Sequence, residues 1–177
     1  MTEYNSFAFD GTIQSYPYSY TNRISFIRKN IGAIETDEIT SLSHLIKSYN
    51  EIFLKMDIEG GEYPWLMSLS NDQLSKFKQI VIEFHGITGD GWGCNYDGKI
   101  KCLKKLSDTH YIIHAHGNNF APVVNGIPDV IELTFVNKTY FENIPNLSTS
   151  PLPSSLDNPN NVYSPDIILN IYPFVHN

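Results

Sequence analysis

The stretch from Phe53 to Glu62, Phe-Leu-Lys-Met-Asp-Ile-Glu-Gly-Gly-Glu, constrains the fold more than any other part of the sequence. A short apolar run that ends in an acid, two glycines and another acid is typical of a parallel strand that turns into a helix. Ligands of open α/β sheets bind beyond such strand ends. Asp57 and Glu59 are two residues apart and share one face if the strand continues through them. Alternatively, both only accept hydrogen bonds at the start of the helix that Glu62 opens.

Two other apolar runs also end in polar residues. Ser6–Phe9 is followed by Asp10, in the position of an acid that accepts hydrogen bonds from ribose hydroxyls in nucleotide-binding folds. An ordinary Asp-Gly turn explains Asp10 equally well. In the run from Gln79 to Gly86, Glu83 and His85 fall on one face. They indicate either a functional site or a histidine hydrogen-bonded to a neighbouring acid.

A second polar cluster lies between Tyr111 and Asn119, where His114 and His116 alternate onto one strand face. Two imidazoles in this spacing can reach one metal ion. The acids and histidines that could contribute to a divalent metal site are Asp57, Glu59, Glu83, His85, His114, His116 and Glu132. Because they are scattered over four predicted strands, a metal-free hydrogen-bond network is the favoured interpretation and a metal the alternative.

The remaining pattern predicts an α/β fold, with a mostly parallel sheet and an antiparallel last strand. Helices are predicted over Ser41–Tyr49 after the N-cap Thr40, Glu62–Ser68, Asp72–Phe77 after the N-cap Asn71, and Asp97–Ser107. A strand over Val130–Val136 begins ten residues after Phe120, too few for a crossover helix, so it pairs antiparallel with the preceding strand. Lysines 99, 101, 104 and 105 are expected on the solvated face of the last helix.

Two segments have no predicted regular structure. Residues 87–96 form a glycine-rich loop over the strand ends, either a lid or a plain connection with Trp92 packed down. Residues 148–161 are rich in Ser, Pro and Asn and predict an extended tail, followed by a short segment over 167–174 that docks on the body. We therefore divide the chain into a domain over residues 1–147 and a tail over 148–177.

Composition narrows the class of partner. The chain has 177 residues, 41% of them hydrophobic, and a formal net charge of −7 with 12 Lys plus Arg. This balance predicts a cytoplasmic protein that binds a small molecule or another protein, not nucleic acid or a membrane. Cys94 and Cys102 are expected to be free thiols, because two cysteines eight residues apart match neither a zinc motif nor a disulfide scaffold.

Four blocks, in this order, resemble the FkbM-type methyltransferase family. They are Leu54–Glu62, Val81–His85, His114–Asn119 and Ile127–Thr134. The resemblance implies a Rossmann-like class I methyltransferase sheet and transfer of a methyl group from S-adenosylmethionine to a hydroxyl of a sugar, glycan or small metabolite. It also implies that Asp10 holds the cofactor ribose.

On this resemblance the candidate residues take roles. His85 or His116 is the general base, and Asp57 and Glu59 position the acceptor or a metal. The cofactor-binding candidates are Asp10, Asp57 and Gly60. The substrate-binding candidates are Glu83, His114, Asn118, Asn119 and Glu132.

The sequence departs from the family at its start. Only nine residues precede Asp10, so the usual first strand and its glycine-containing cofactor loop have no room before it. We therefore expect unpaired strand edges in the middle of the sheet, covered by a protein partner or a second copy of the chain. Two alternative functions follow. One is a binding protein that needs a partner or lacks catalysis, and the other is a metal-dependent hydrolase built on Asp57, Glu83, His85 and His116.

Overall fold

The computed structural model describes residues 5–19 and 23–176 and contains short and long strands alternating with helices. The strands are β1 (Ser6–Phe9), β2 (Ile24–Ile27), β3 (Asn30–Ile31), β4 (Ile39–Thr40), β5 (Ile52–Met56), β6 (Phe77–Phe84), β7 (His110–Gly117), β8 (Val123–Val124), β9 (Ile127–Pro128) and β10 (Ile131–Asn137). The helices are α1 (Ser43–Ser48), α2 (Glu62–Ser68), α3 (Asn71–Leu74) and α4 (Tyr96–Thr109).

The main sheet has four strands in the order β5-β6-β10-β7. β5 is parallel to β6, whereas β10 lies between β6 and β7 and is antiparallel to both. The α/β class and the antiparallel last strand are thus confirmed. Since β5, β6 and β7 run in one direction, their carboxyl ends meet at the same edge of the sheet, where we expected the polar residues to collect.

A second, two-stranded sheet stands apart from the first. β1 and β2 pair in parallel, in register from Ser6 with Ile24 to Phe9 with Ile27. Within residues 5–19 and 23–176 no strand joins β1 to β5.

The core lies between β6 and the helices α2 and α4. Tyr63 and Phe84 pack with ring centroids 5.3 Å apart, and Trp65 meets the ring of Phe77 edge-on at 6.1 Å. The indole of Trp65 also donates to the carbonyl of Ser41 at 2.9 Å, which satisfies its one polar group. Burial of these large rings fixes α2, and with it the turn that precedes α2, against the sheet.

The bounds of α2 are as predicted, but α1 and α3 begin differently. α1 starts at Ser43 and not at Ser41, because Leu42 has a left-handed backbone and Thr40 Oγ1 accepts from its N–H at 3.1 Å. The cap of α3 is Ser70 and not Asn71. Ser70 exchanges hydrogen bonds with Gln73 in a capping box, which makes it the better N-cap.

The buried face of α4 differs from the predicted one. Lys99, Cys102 and Leu106 are its buried residues, so Lys99 does not lie on a solvated face. Its ammonium is buried because it donates to the carbonyls of Gly86 and, at 2.8 Å, of Gly89. Lys105 likewise donates to carbonyls at the end of α2, among them that of Met67 at 2.9 Å. A lysine can therefore lie on the buried face of a helix even where the hydrophobic pattern places it in solvent.

After β10 the chain forms a short 3-10 helix over Lys138–Tyr140, and the described residues from 141 to 176 then run over the body without a further helix or a long strand. Leu152 and Leu169 exchange backbone hydrogen bonds of 3.1 and 2.9 Å, and Leu169 is buried in the core. Cys94 and Cys102 are free thiols as predicted, and burial raises the pKa of Cys102 to about 12. Among the helices described, none combines the length and the apolar character that a membrane crossing requires.

Candidate active site

His85 directly follows β6 at the carboxyl edge of the sheet, and its side chain is only 8% exposed. Its Nδ1 lies 3.3 Å from Glu62 Oε1. Its Nε2 lies 3.3 Å from Glu59 Oε2 and 4.0 Å from Asp57 Oδ1. Because a carboxylate only accepts hydrogen bonds, the Glu62 contact places a proton on Nδ1 and orients the ring.

The tight turn between β5 and α2 supplies these acids. β5 ends at Met56, so the strand does not continue through Asp57 and Glu59, and the condition under which they would share a strand face is not met. The turn brings both to His85 instead, with positive φ at Glu59 (55°) and Gly60 (93°). Glu62, fully buried, accepts from the Ile58 N–H at 3.1 Å and so ties the turn to α2. The sequence allows Asp57 and Glu59 to act as acceptors of backbone hydrogen bonds at the start of α2. In this structure the acid that accepts such a bond, from Ile58 in the turn, is Glu62.

Glu83 lies on β6 two residues before His85 and is nearly buried. Asn118, beyond the end of β7, donates to its carboxylate at 2.7 Å. Burial raises the pKa of Glu83; the Asn118 bond acts against this, and the neighbouring charge of Asp57 acts with it. Each of Asp57, Glu83 and His85 offers one ligand atom, and the three atoms lie within 4.8 Å of one another. The structure therefore brings together three of the seven predicted metal-ligating candidates as one set.

The loop over residues 87–95 covers this set from above. The ring of Trp92 lies against the imidazole of His85, with centroids 5.1 Å apart and planes at 32°. Close backbone approach makes this possible, since a Cβ at Gly60 would meet Trp92 at 3.1 Å and one at Gly93 would collide with the carbonyl of Gly60. Trp92 therefore contacts His85 while 48% of it stays exposed, and the choice between a lid and a plain connection stays a prediction.

A pocket of about 280 Å³ opens beside His85. It is lined by His85, Trp92, Asn118, Phe120, Ala121, Pro122, Asp129 and Val130. Its walls are joined by backbone bonds, including Ile87 N–H to Asp129 O at 2.9 Å and Asn118 N–H to Val130 O at 3.0 Å. The pocket is open to solvent and mostly apolar, and His85, Asn118 and Asp129 are its polar residues.

A family model for the "Methyltransferase FkbM domain" matches residues 3–120, about two thirds of the chain. The chain belongs to the FkbM methyltransferase family. Neither a curated protein nor a solved structure matches it. The matched range includes the turn at Asp57, the His85 region and Asn118, but not Asp129 or Glu132 of the last hairpin.

In this FkbM-family protein, the second histidine cluster is separate from the first. His114 Nε2 lies 2.8 Å from Asp157 Oδ1, and His116 Nε2 lies 3.0 Å from Asp166 Oδ2. Glu132 Oε2 is 3.8 Å from His116 Nδ1. β10 separates β7 from β6, so His116 stands about two strand spacings, roughly 10 Å, from the β6 residues. His114, His116 and Glu132 are outside the His85 set.

Asn119 and Asp10 also have local partners. The amide of Asn119 donates to the carbonyls of Asn161 (3.0 Å) and Ser164 (3.2 Å), which holds the tail in place. Asp10 follows β1, and its Oδ1 accepts from the Thr12 N–H at 2.7 Å and hydroxyl at 2.6 Å. These bonds lower the pKa of Asp10. The Asp-Gly turn is thus present, and the ribose role of Asp10 remains a prediction.

Sequence reasoning missed three partners of the histidines. Glu62 was treated only as the first residue of a helix, although it orients His85. Asp157 and Asp166 were part of a tail without assigned contacts, although they bind His114 and His116. For Glu62 a signal existed, because a carboxylate at the first position of a helix that follows a strand end lies where a neighbouring strand end can reach it.

Proposed function

We propose that this protein transfers a methyl group from S-adenosylmethionine to a hydroxyl oxygen of a sugar or small metabolite. Membership of the FkbM family supports the reaction class. One observation carries the proposal for the site: the buried Glu62 orients His85, and His85 lines the pocket. An oriented imidazole beside an acceptor pocket is the arrangement that general-base catalysis needs.

The sheet supports a Rossmann-like interpretation. Three strands of one direction and an inserted antiparallel β10 agree with a class I methyltransferase sheet. Asp10 follows β1 of the separate two-stranded sheet, and an acid at a strand end is suited to a ribose. Both of its bonds from Thr12 use Oδ1, so Oδ2 is the oxygen that would accept from a ribose hydroxyl. The cofactor supplies the electrophilic methyl group.

The chain's own residues position the acceptor and take its proton. With Nδ1–H donated to Glu62, Nε2 of His85 would take the proton of an acceptor hydroxyl, and the Glu59 and Asp57 carboxylates beside Nε2 favour the imidazolium that results. Asn118, held by its bond to Glu83, and the carboxylate of Asp129 offer hydrogen-bond partners on the pocket wall. Proton acceptance at an oriented histidine contributes about 10²- to 10⁴-fold to rates of this kind.

The lining of the pocket favours a sugar-like acceptor. Trp92 and Phe120 present aromatic surface, and an aromatic face packs well on the C–H face of a sugar ring. Amide and carboxylate side chains nearby match its hydroxyls. At about 280 Å³ the pocket has room for one such ring and little more.

The first test is calorimetric titration of the chain with S-adenosylmethionine and S-adenosylhomocysteine. We expect binding by the wild type, weakened at least about tenfold in Asp10→Asn through loss of a charged acceptor. Asp37→Asn, at an exposed position outside the site, is the matched control. Methyl transfer to a panel of sugars follows, with Trp92 fluorescence in a Trp65→Phe variant as the report of acceptor binding.

A binding protein without catalysis is the second candidate. It is favoured by the separation of the β1–β2 pair from the main sheet, since a cofactor held between them needs both to be fixed. It predicts a folded protein with no affinity for either cofactor form. Acceptor binding in the Trp92 assay without cofactor binding would select this candidate.

A further inference from the structure

We propose that Asp57, Glu83 and His85 form a binding site for one divalent transition-metal ion. The inference stands on the donor atoms and their surroundings and does not depend on methyl transfer. It also reduces the seven scattered candidates of the sequence to three.

The donor set is compact. One ligand atom from each of Asp57, Glu83 and His85 lies within 4.8 Å of the other two. Metal–ligand bonds of about 2.0–2.2 Å place the ligands of a tetrahedral site about 3.4 Å apart. Asp57 is 44% exposed and lies in a turn, so its side chain has room to rotate toward the other two ligands.

The second observation is the imidazole itself. His85 is more than nine-tenths buried, and Glu62 engages its Nδ1. Within the described part of the chain Nε2 makes no hydrogen bond, and it points at the Asp57 and Glu59 carboxylates at 4.0 and 3.3 Å. A lone pair that faces carboxylate oxygens is repelled unless a proton or a metal ion lies between them.

Glu62 supplies the outer partner that metal-bound histidines normally have. A ligating histidine usually donates its other ring N–H to a carboxylate, which fixes the tautomer and raises the basicity of the ligand. Glu62 is fully buried, and its Oε2 has no hydrogen-bond partner among residues 5–19 and 23–176. A buried carboxylate with an unsatisfied oxygen is stabilised when the imidazole it holds carries a positive ion on the far side.

The charge of the cluster points the same way. Asp57, Glu59, Glu62 and Glu83 surround one imidazole, and in residues 5–19 and 23–176 neither Lys nor Arg forms an ion pair with them. Burial raises the pKa of Glu83, and the neighbouring charge of Asp57 adds to this. A divalent ion neutralises two of these charges at once.

The ligand types select the metal. Two carboxylate oxygens and one imidazole nitrogen suit Zn²⁺ or Co²⁺ better than Mg²⁺ or Ca²⁺, which prefer sites built of oxygen alone. An ion at Nε2 also occupies the lone pair that takes the acceptor proton. Metal binding and general-base action at His85 are therefore mutually exclusive, and bound Zn²⁺ is expected to inhibit methyl transfer.

The test is calorimetric titration of the metal-stripped full chain with Zn²⁺, together with visible absorption of the Co²⁺ form. We expect one ion per chain in the wild type and at least about tenfold weaker binding in His85→Gln and Asp57→Asn. His114→Gln is the matched control, because this imidazole also pairs with a carboxylate but lies outside the set. It should bind as the wild type does.

Two results would overturn the site. One is equal Zn²⁺ affinity in the wild type and the His85→Gln and Asp57→Asn variants, and the other is no binding by a folded wild type. Tighter binding of Mg²⁺ than of Zn²⁺ would contradict the nitrogen ligand. If His85→Gln does not fold, Asp57→Asn decides, since it changes an exposed turn residue. Cofactor titration is a separate measurement, so failure of the proposed function and failure of the metal site are distinguishable.

Discussion

His85 and His116 occupy similar positions and have different surroundings. Each lies at the end of a strand at the same edge of the sheet, each is nearly buried, and each has a carboxylate near both ring nitrogens. His85 is oriented from below by the buried Glu62, while its other nitrogen faces exposed acids and a pocket. His116 is bound from outside, by two oxygens of Asp166 at 3.0 and 3.2 Å.

This difference indicates a chemical role for His85 and an anchoring role for His116. A histidine whose buried partner fixes one nitrogen and leaves the other beside a pocket can accept a proton or a metal ion. A histidine whose outer nitrogen is taken by the chain's own tail instead holds that tail in place. We infer that the His85 cluster is the reactive centre and that the His114 and His116 pairs attach residues 154–167 to the sheet.

The largest expected effect is on the rate of methyl transfer, and it tests directly whether His85 and His116 have these different roles. His85→Gln should reduce the rate of methyl transfer by about 10²- to 10⁴-fold, because the general base is lost. His116→Gln should keep the rate within a few-fold of the wild type. Initial rates with a labelled methyl donor, at saturating cofactor, measure both.

Cofactor affinity is the control for this pair of variants. It should be unchanged in both, since neither residue is assigned to the cofactor. A large loss in His116→Gln with a normal His85→Gln would reverse the assignment of the two histidines.

The next largest effect concerns stability, through the packing of the Trp92 loop against the turn at Gly60. Gly93 has a φ of 80°, and a Cβ there would collide with the Gly60 carbonyl, so Gly93→Ala should lower the free energy of unfolding by about 2–3 kcal/mol. Gly60→Ala, with a φ of 93° and a 3.1 Å approach to Trp92, should cost about 1–2 kcal/mol. Urea denaturation measures both.

Gly89→Ala is the matched control in the same loop. A Cβ there meets nothing within 4 Å, so the change should stay within about 0.5 kcal/mol of the wild type. Equal losses at all three positions would show that the loop is sensitive for a reason other than its contact with the turn.

On the His116 side, the tail should detach more easily when its acids are removed. Asp157 accepts from His114 at 2.8 Å and from the Ser154 N–H at 2.6 Å. Burial acts to raise the pKa of Asp157, but the bonds from Ser154 and His114 outweigh it and lower the pKa. We expect Asp157→Asn to cost about 1 kcal/mol and to speed limited proteolysis within residues 148–166.

The pH dependence of this contact follows from the direction in which the pKa of Asp157 is shifted. A lowered folded-state pKa means that the stabilisation is present above the ordinary value of 3.8 and is lost as the pH falls through the folded-state pKa. The Asp157→Asn variant should therefore resemble the wild type at low pH and differ from it near pH 7. A tail that is cleaved equally fast in both proteins at neutral pH would contradict the anchor.

Local pattern predicted much of the fold. Buried apolar runs located β1, β6, β7 and β10 within a few residues, and α2 with the predicted ends, because each segment's own periodicity decides its structure. The position of β10 between β6 and β7 was not predicted, since an antiparallel strand pairs with either neighbour equally well on sequence grounds. Lys99 was misplaced because hydrophobic periodicity does not detect a cation that finds carbonyl partners.

The site was predicted residue by residue, but its grouping was not. Asp57, Glu83 and His85 each stood out at a strand end, yet the same rule selected His114, His116 and Glu132. What divides them are partners far along the chain: Glu62 is 23 residues from His85, and Asp166 is 50 from His116. Such pairings depend on how the tail and the helices pack, which no local pattern encodes.

A third buried histidine, His110, gives the smallest and most controlled test, because no carboxylate of the residues that the structure describes pairs with it. Its Nε2 donates to the Phe77 carbonyl at 2.9 Å, and its Nδ1 lies 2.8 Å from Thr109 Oγ1. Burial lowers the pKa of His110, against the raising effect of the Phe77 bond.

The unfolded chain therefore binds the proton first, and stability should fall as the pH drops through about 6.5, by at most about 1.4 kcal/mol per pH unit for one proton. Urea midpoints between pH 5.5 and 7.5 should show a shallower slope in His110→Gln than in the wild type, and an unchanged slope in the exposed His44→Gln. Identical slopes in wild type and His110→Gln would contradict the assignment of this acid sensitivity to His110.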